Sequence, residues 1–181
     1  HYLPCLQFFS KFFLYEQVLI EAHEHYVKRS YRNRCHIGGA NGLLRLSIPL
    51  QQGKNEQQPI REVRIAQGQN WRHQHWQSIQ SAYGKSPFFE HYAPELQPFF
   101  QKEWTHLFDL NLQLLHWALD TLGISPHTLA FTERYLPSPP PPIKDLHGRI
   151  NPRSKTEKDP AFQAPPYVQP FREKFGFLPN L

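Results

Sequence analysis

Apolar and polar positions recur along this chain with two periods. Leu3, Leu6, Phe9, Phe13 and Gln17 follow one another at steps of three and four, with Phe8 and Phe12 alongside. Those steps predict a first helix over residues 3–17, and Pro4 suits its first turn, where an N–H has no helical partner anyway. Residues 18–26 read as a strand. Leu44, Leu46, Ile48 and Leu50 alternate with Arg45, Ser47 and Pro49, the pattern of a strand with one buried face. Ahead of it, Gly38-Gly-Ala-Asn-Gly42 offers the positive-φ positions of a reversal, so a hairpin is expected. Residues 51–59 are polar and loop-like, and residues 61–65 predict a third short strand.

The second half turns helical. Asn70 is a good N-cap for a helix over residues 71–83, and Gly84 stops it. Trp71, His75, Ile79 and Ala82 form its stripe, widened by Trp76 and Tyr83. Ser86-Pro87 opens the next helical stretch, which Pro94 and Pro98 interrupt or kink. Residues 105–122 predict the clearest helix, with Leu107, Leu110, Asn111, Leu114, Ala118 and Leu122 on one face and Gly123 closing it. Leu110, Leu114, Ala118 and Ile79 are expected to be buried together. Residues 129–136 read as a final strand.

Beyond that point the composition changes. Residues 137–170 hold ten of the eighteen prolines, and 137–142 read Pro-Ser-Pro-Pro-Pro-Pro, which favours an extended conformation over a packed element. The expected organisation is a domain over 1–136, a Pro-rich arm over 137–170 and a closing segment, 171–181, that docks back. The chain has 181 residues, enough for one domain with its own core. With no methionine anywhere, it reads as a stretch of a longer protein.

Charge narrows the choice of partners. Net charge is +5, from 20 Lys and Arg against 15 Asp and Glu. That is short of the basic stripe of a dedicated DNA binder, and a phosphate-bearing small molecule or an anionic lipid surface fits equally well. No apolar run is long enough to cross a bilayer. Two cysteines, Cys5 and Cys35, make no disulfide framework, and a reducing cytoplasm is the simpler setting.

The basic residues are concentrated in one run. Lys28-Arg-Ser-Tyr-Arg-Asn-Arg34 sets four cations beside Tyr26, Tyr31 and Asn33. Forked guanidinium groups bond phosphate or carboxylate at two points, while a ring supports a sugar or a base. On a strand, only half of Lys28, Arg29, Arg32 and Arg34 would face one cleft. Trp71, Arg72, His75 and Lys85 are candidates to line that cleft with them. The plainer reading is a solvated basic strand and turn.

Other constellations are weaker. Cys5 near His1 invites a nucleophile-and-base reading, but no protease-like signature surrounds it, and a small buried residue is favoured. Glu21, His23 and His25 share one face of the expected strand at zinc-like spacing, yet exposed polar residues explain them as well, and no metal is assigned. His73 and His75 point apart on a helix. There is no P-loop, dinucleotide fingerprint or Gly-x-Ser-x-Gly elbow, and no cofactor is implied.

The run does not stand alone. His1-Tyr-Leu-Pro-Cys-Leu-Gln-Phe-Phe-Ser-Lys-Phe, the Lys28 to Arg34 run, Asn70-Trp-Arg-His-Gln-His-Trp76, Ala82-Tyr-Gly-Lys-Ser-Pro-Phe-Phe89 and Asp109-Leu-Asn111 occur in that order. The ordered set, over residues 1–135, resembles the WbqC-like protein family of bacteria, whose members are often encoded among genes for O-antigen and other surface polysaccharides. The closing Phe175-Gly-Phe-Leu-Pro-Asn-Leu181 resembles it more loosely. The resemblance implies an apolar strand ahead of Tyr2, hence a strand–helix–strand start of α/β (or α+β) class in three layers, with His1 and Tyr2 at a strand's carboxyl end, where such sheets bind ligands. It also implies a cytoplasmic enzyme or accessory of glycan biosynthesis, a transferase among the activities it would allow, acting on a nucleotide sugar or an activated acyl donor. Lys28, Arg29, Arg32 and Arg34 would neutralise the anion, Tyr31 and Asn33 would orient it, and His1 or Tyr2 would lie nearest the reacting group. The alternatives are a non-catalytic module that uses the same surface for nucleic acid or an anionic ligand, and a scaffold whose Pro-rich arm recruits a partner.

Overall fold

The computed structural model describes residues 1–51, 58–152, 159, 161–162 and 166–181. Helix α1 (Leu6–Leu14) leads into strand β1 (Val18–Ile20), and β2 (Arg34–Gly39) and β3 (Gly42–Ser47) follow. Then come α2 (Trp71–Tyr83), α3 (Phe89–Leu96), α4 (Pro98–Gln101) and α5 (Leu107–Thr121). Strand β4 (Leu129–Phe131) and the short α6 (Arg172–Phe175) complete the order. The content is mixed α/β, as expected. Among the described residues the strands form two small sheets: β1 parallel to β4, and the antiparallel hairpin β2–β3. Gly39 pairs with Gly42 across the Ala40–Asn41 turn, and Gly42 takes φ +104° there.

The hairpin sorts its side chains by the strand period only in part, since Leu44, expected on the buried face with Leu46, is exposed. Cys35, Ile37 and Leu46 point into the main core, which also holds Tyr2, Trp71, Trp76, Ile79, Leu110 and Leu114. Ala118 is only half-buried and stands outside that cluster. Leu122, expected on the buried face of α5, is exposed; Leu115 and Leu119 are buried instead, with Phe12 and Ile124 in a second, smaller core. The stripe is rotated because α5 packs on two partners, one on each flank.

Several expected elements are shorter or displaced. α1 starts after Pro4, with Cys5 at its N-cap, and Leu3 takes φ +41° just before it. The strand expected over 18–26 ends at Ile20, because the Glu21 carboxylate turns the chain. One oxygen accepts from the His23 amide (2.8 Å) and the Thr132 hydroxyl (2.8 Å), the other from the Leu136 amide (3.0 Å). The stretch 61–65 is not a strand: a 3₁₀ turn over Ile60–Glu62 follows Pro59, and Arg64 and Ile65 make only isolated bridges. The next helix opens at Phe89, after Phe88 at φ +64°, and Pro94 lies inside it. β4 spans only part of 129–136.

Residues 137–152 carry no helix or strand, but they are not simply extended: the Ile143 amide donates to the Pro140 carbonyl at 3.0 Å and makes a turn. Most of 153–160 lies outside the described residues. The closing segment lies against the hairpin, where Lys174 donates to the Ala40 carbonyl (2.8 Å) and Leu181 sits beside Gly38. Asn180 accepts from the Gln7 amide at 2.6 Å and so caps α1 from across the chain. The buried Lys11 ammonium pairs with Asp159.

Candidate functional site

The start of the chain is threaded between the basic run and α2. The Tyr2 amide donates to the Tyr31 carbonyl at 2.8 Å, and the Tyr2 ring is fully buried. Its hydroxyl meets His75 Nδ1 at 2.8 Å. The Ser47 backbone takes a hydrogen bond from the same imidazole, so Nδ1 is left to accept from Tyr2. Burial pushes His75 down to about 4 and Tyr2 well above its usual range. Both are neutral near pH 7, and together they tie the first loop, β3 and α2. Tyr2 therefore holds position rather than presenting its hydroxyl to a ligand. Trp71 packs edge-on against His75, with ring centroids 5.2 Å apart.

The basic run is not one strand. Lys28 and Arg29 are exposed in a turn, where Arg29 takes φ +59°, and the strand starts only at Arg34. Alternation along 28–34 therefore does not decide which side chains share a face. The Arg32 fork is taken up by Glu24, with Nε donating to one carboxylate oxygen at 2.6 Å and Nη2 to the other. Both side chains are about 15% exposed. Asn111 donates to the Arg32 carbonyl at 2.7 Å, and Asn33 exchanges hydrogen bonds with Ile48 (2.9 and 2.8 Å). These contacts make the approach to β2 rigid. The amide oxygens of Asn33 and Asn111 are buried without a protein partner.

Past that corner a different cluster forms on the outer face of the hairpin. Arg34 and His36 are two apart on β2, and Arg45 stands directly opposite His36 on β3. Burial, then the Arg34 and Arg45 charges, hold His36 below its ordinary 6.5. The Tyr31 ring meets His36 edge-on at 5.8 Å, and His1 lies between Tyr31 (5.7 Å) and Phe8 (4.9 Å). Burial, then the nearby Cys5 and Cys35 thiols, push Tyr31 up to about 12, so it stays a neutral phenol. Arg34, opposite Ser47, and Arg45, opposite His36, are diagonal neighbours across the hairpin, and their two charges disfavour each other. A bound anion would relieve them. The closing segment borders this face, since Leu181 lies next to Gly38, two positions beyond His36.

The other candidates lie elsewhere. Arg72 pairs with the exposed Glu103 at 3.3 Å, and Lys85 is exposed just past α2. Cys5 is buried, and desolvation raises its thiol, which opposes a nucleophilic role. Glu21 is committed to the loop contacts above, and among the described residues no three His, Cys, Asp or Glu side chains gather to hold a metal. Sequence reasoning missed His36, Arg45 and Glu24. The first two follow from register once the turn is centred on Ala40–Asn41; nothing local signals Glu24.

The comparisons agree with the ordered motifs. The model of the WbqC-like protein family matches residues 1–138. The chain belongs to the WbqC-like protein family. It is 31% identical over 126 residues to an uncharacterised protein of Mycobacterium tuberculosis, Rv1507c, covering 69% of this chain and 54% of that protein. The chain thus spans about half the length of the curated relative it matches. No solved structure matches it. Among the described residues of this WbqC-like chain, no helix is long and apolar enough to cross a membrane.

Proposed function

We propose that this WbqC-like chain binds a phosphate- or carboxylate-bearing small molecule, a nucleotide sugar or an activated acyl donor, as a cytoplasmic enzyme or accessory of surface-polysaccharide assembly. The observation that carries the reading is the outer hairpin face, where Arg34, His36 and Arg45 gather beside the Tyr31 and His1 rings. Among the described residues Arg45 has no carboxylate partner. Arg34 and Arg45 would clamp the anion, His36 would donate a hydrogen bond to it, and Tyr31 with His1 would flank the rest of the ligand. Arg32 and Tyr2 serve as positioning residues, because each side chain is already engaged.

Calorimetric titration with UDP-glucose, acetyl-coenzyme A and pyrophosphate tests this. Saturable one-to-one binding is expected, weakened about tenfold or more by Arg45→Gln, which is about 1.4 kcal/mol. Absence of binding by all three would defeat it. The nucleic-acid alternative predicts instead binding to a single-stranded oligonucleotide that falls steeply with salt.

A further inference from the structure

A second cleft opens on the outer side of α2, away from the hairpin face. It holds about 280 Å³ where the first turn of α2 meets α4. Its floor is aromatic: Trp76 and Phe100 lie with centroids 5.7 Å apart, and Phe89 stacks behind the indole at 6.2 Å. Around that floor stand three carboxamides, Asn70, Gln97 and Gln101, with the His73 imidazole and the Arg72 guanidinium. Asn70 occupies the N-cap position of α2, yet its side chain makes no capping hydrogen bond. Among the described residues, neither these three amides nor His73 meets a side-chain hydrogen-bond partner in the protein.

The chemistry of this lining is specific. A carboxamide presents a donor and an acceptor side by side, and three of them around one small cleft suit a ligand whose groups also do both. Neighbouring hydroxyls on a sugar ring have that property. The C–H bonds of a pyranose have an apolar side that packs on aromatic carbon. Arg72 shares its charge with Glu103 at 3.3 Å, so a net anion gains less here than at the hairpin. Trp76 and Phe100 are 7% and 6% exposed, so the floor offers little ring surface and the amides supply most of the recognition. The size suits one small ligand, at the lower end of binding clefts.

We propose that this cleft binds an uncharged pyranose sugar, its ring against Trp76 and Phe100 and its hydroxyls held by Asn70, Gln97 and Gln101. It uses none of the residues of the hairpin face, so either site can stand without the other. The test is titration of the whole chain with glucose, galactose, mannose and N-acetylglucosamine, with inorganic phosphate as the anionic comparison. Indole fluorescence and the side-chain amide signals in nitrogen-15 spectra report binding. At least one sugar should saturate, shifting the Asn70, Gln97 and Gln101 amide signals. The Asn70→Ala/Gln101→Ala double variant should lose about tenfold or more in affinity without a change in melting temperature, since both side chains are exposed. Arg45→Gln should leave sugar binding unchanged, which separates this site from the hairpin. No saturation by any sugar, full affinity in the double variant, or phosphate producing the same amide shifts would each overturn the proposal.

Discussion

Arg32 and Arg45 carry the same charge and meet opposite surroundings. Arg32 is about 15% exposed, its fork shared out to the two oxygens of Glu24 and its carbonyl held by Asn111. Arg45 is exposed, faces His36 across the hairpin and adds its field to that of Arg34. The first is a structural ion pair that fixes a corner. The second is a cation with room for a partner from outside. Density of charge along a sequence does not separate these roles; the presence of an internal carboxylate does.

The contrast can be broken from either side. The largest effect should come from Glu24→Gln, which leaves the largely enclosed Arg32 charge without its counter-charge. We expect a loss of about 3 kcal/mol in denaturant unfolding. A loss below about 0.5 kcal/mol would place the pair among ordinary surface bridges and remove the distinction.

Next comes the neutral counterpart of that corner. Tyr2→Phe removes the donor from buried His75 Nδ1 and should cost about 2 kcal/mol, read from the same unfolding curves. His75 also predicts an acid limb. Its folded pKa of about 4 lies below the ordinary 6.5, so the unfolded chain takes up the proton first. Stability should fall as pH drops from 6.5 towards 4, and His75→Gln should flatten that part of a melting-temperature profile. An unchanged limb would mean that other groups dominate it.

The smallest change in stability should come from Arg45→Gln, within about 0.5 kcal/mol. Its signature is binding instead. An anion at the hairpin stabilises protonated His36, so affinity for pyrophosphate should rise as pH falls through the lowered His36 pKa. His36→Gln should abolish that pH dependence. A flat profile in the unaltered chain would remove His36 from the site.

Helix α2 was legible in its bounds, because its stripe and Gly84 stop are local signals, although Asn70 makes no capping hydrogen bond. The strand expected over 18–26 was not, since its end depends on Glu21 reaching Thr132 and Leu136, far along the chain. The same limit hid the Arg32–Glu24 pair and left the basic run looking uniform. The hairpin was visible, but its charged face needed a register, and the register needed the turn placed to the residue. Helical geometry sends His73 to a different side from His75, while the Arg72 guanidinium is drawn to Glu103. Leu122 was assigned to the core because a period cannot tell how many partners a helix packs against.

Asn180 caps α1 from 173 positions away, and β1 pairs with β4 rather than with any strand near it. At ribosomal speeds, the interval between making Gln7 and making Asn180 is roughly ten to thirty seconds. Through that time α1 lacks its cap, and the Leu115, Leu119 and Ile124 side chains that cover Phe12 are made only about two-thirds of the way through it. Helix α1 is thus secured long after it is made. Newly made α1, with Phe8, Phe9 and Phe12 uncovered, is where a nascent-chain chaperone would find its grip.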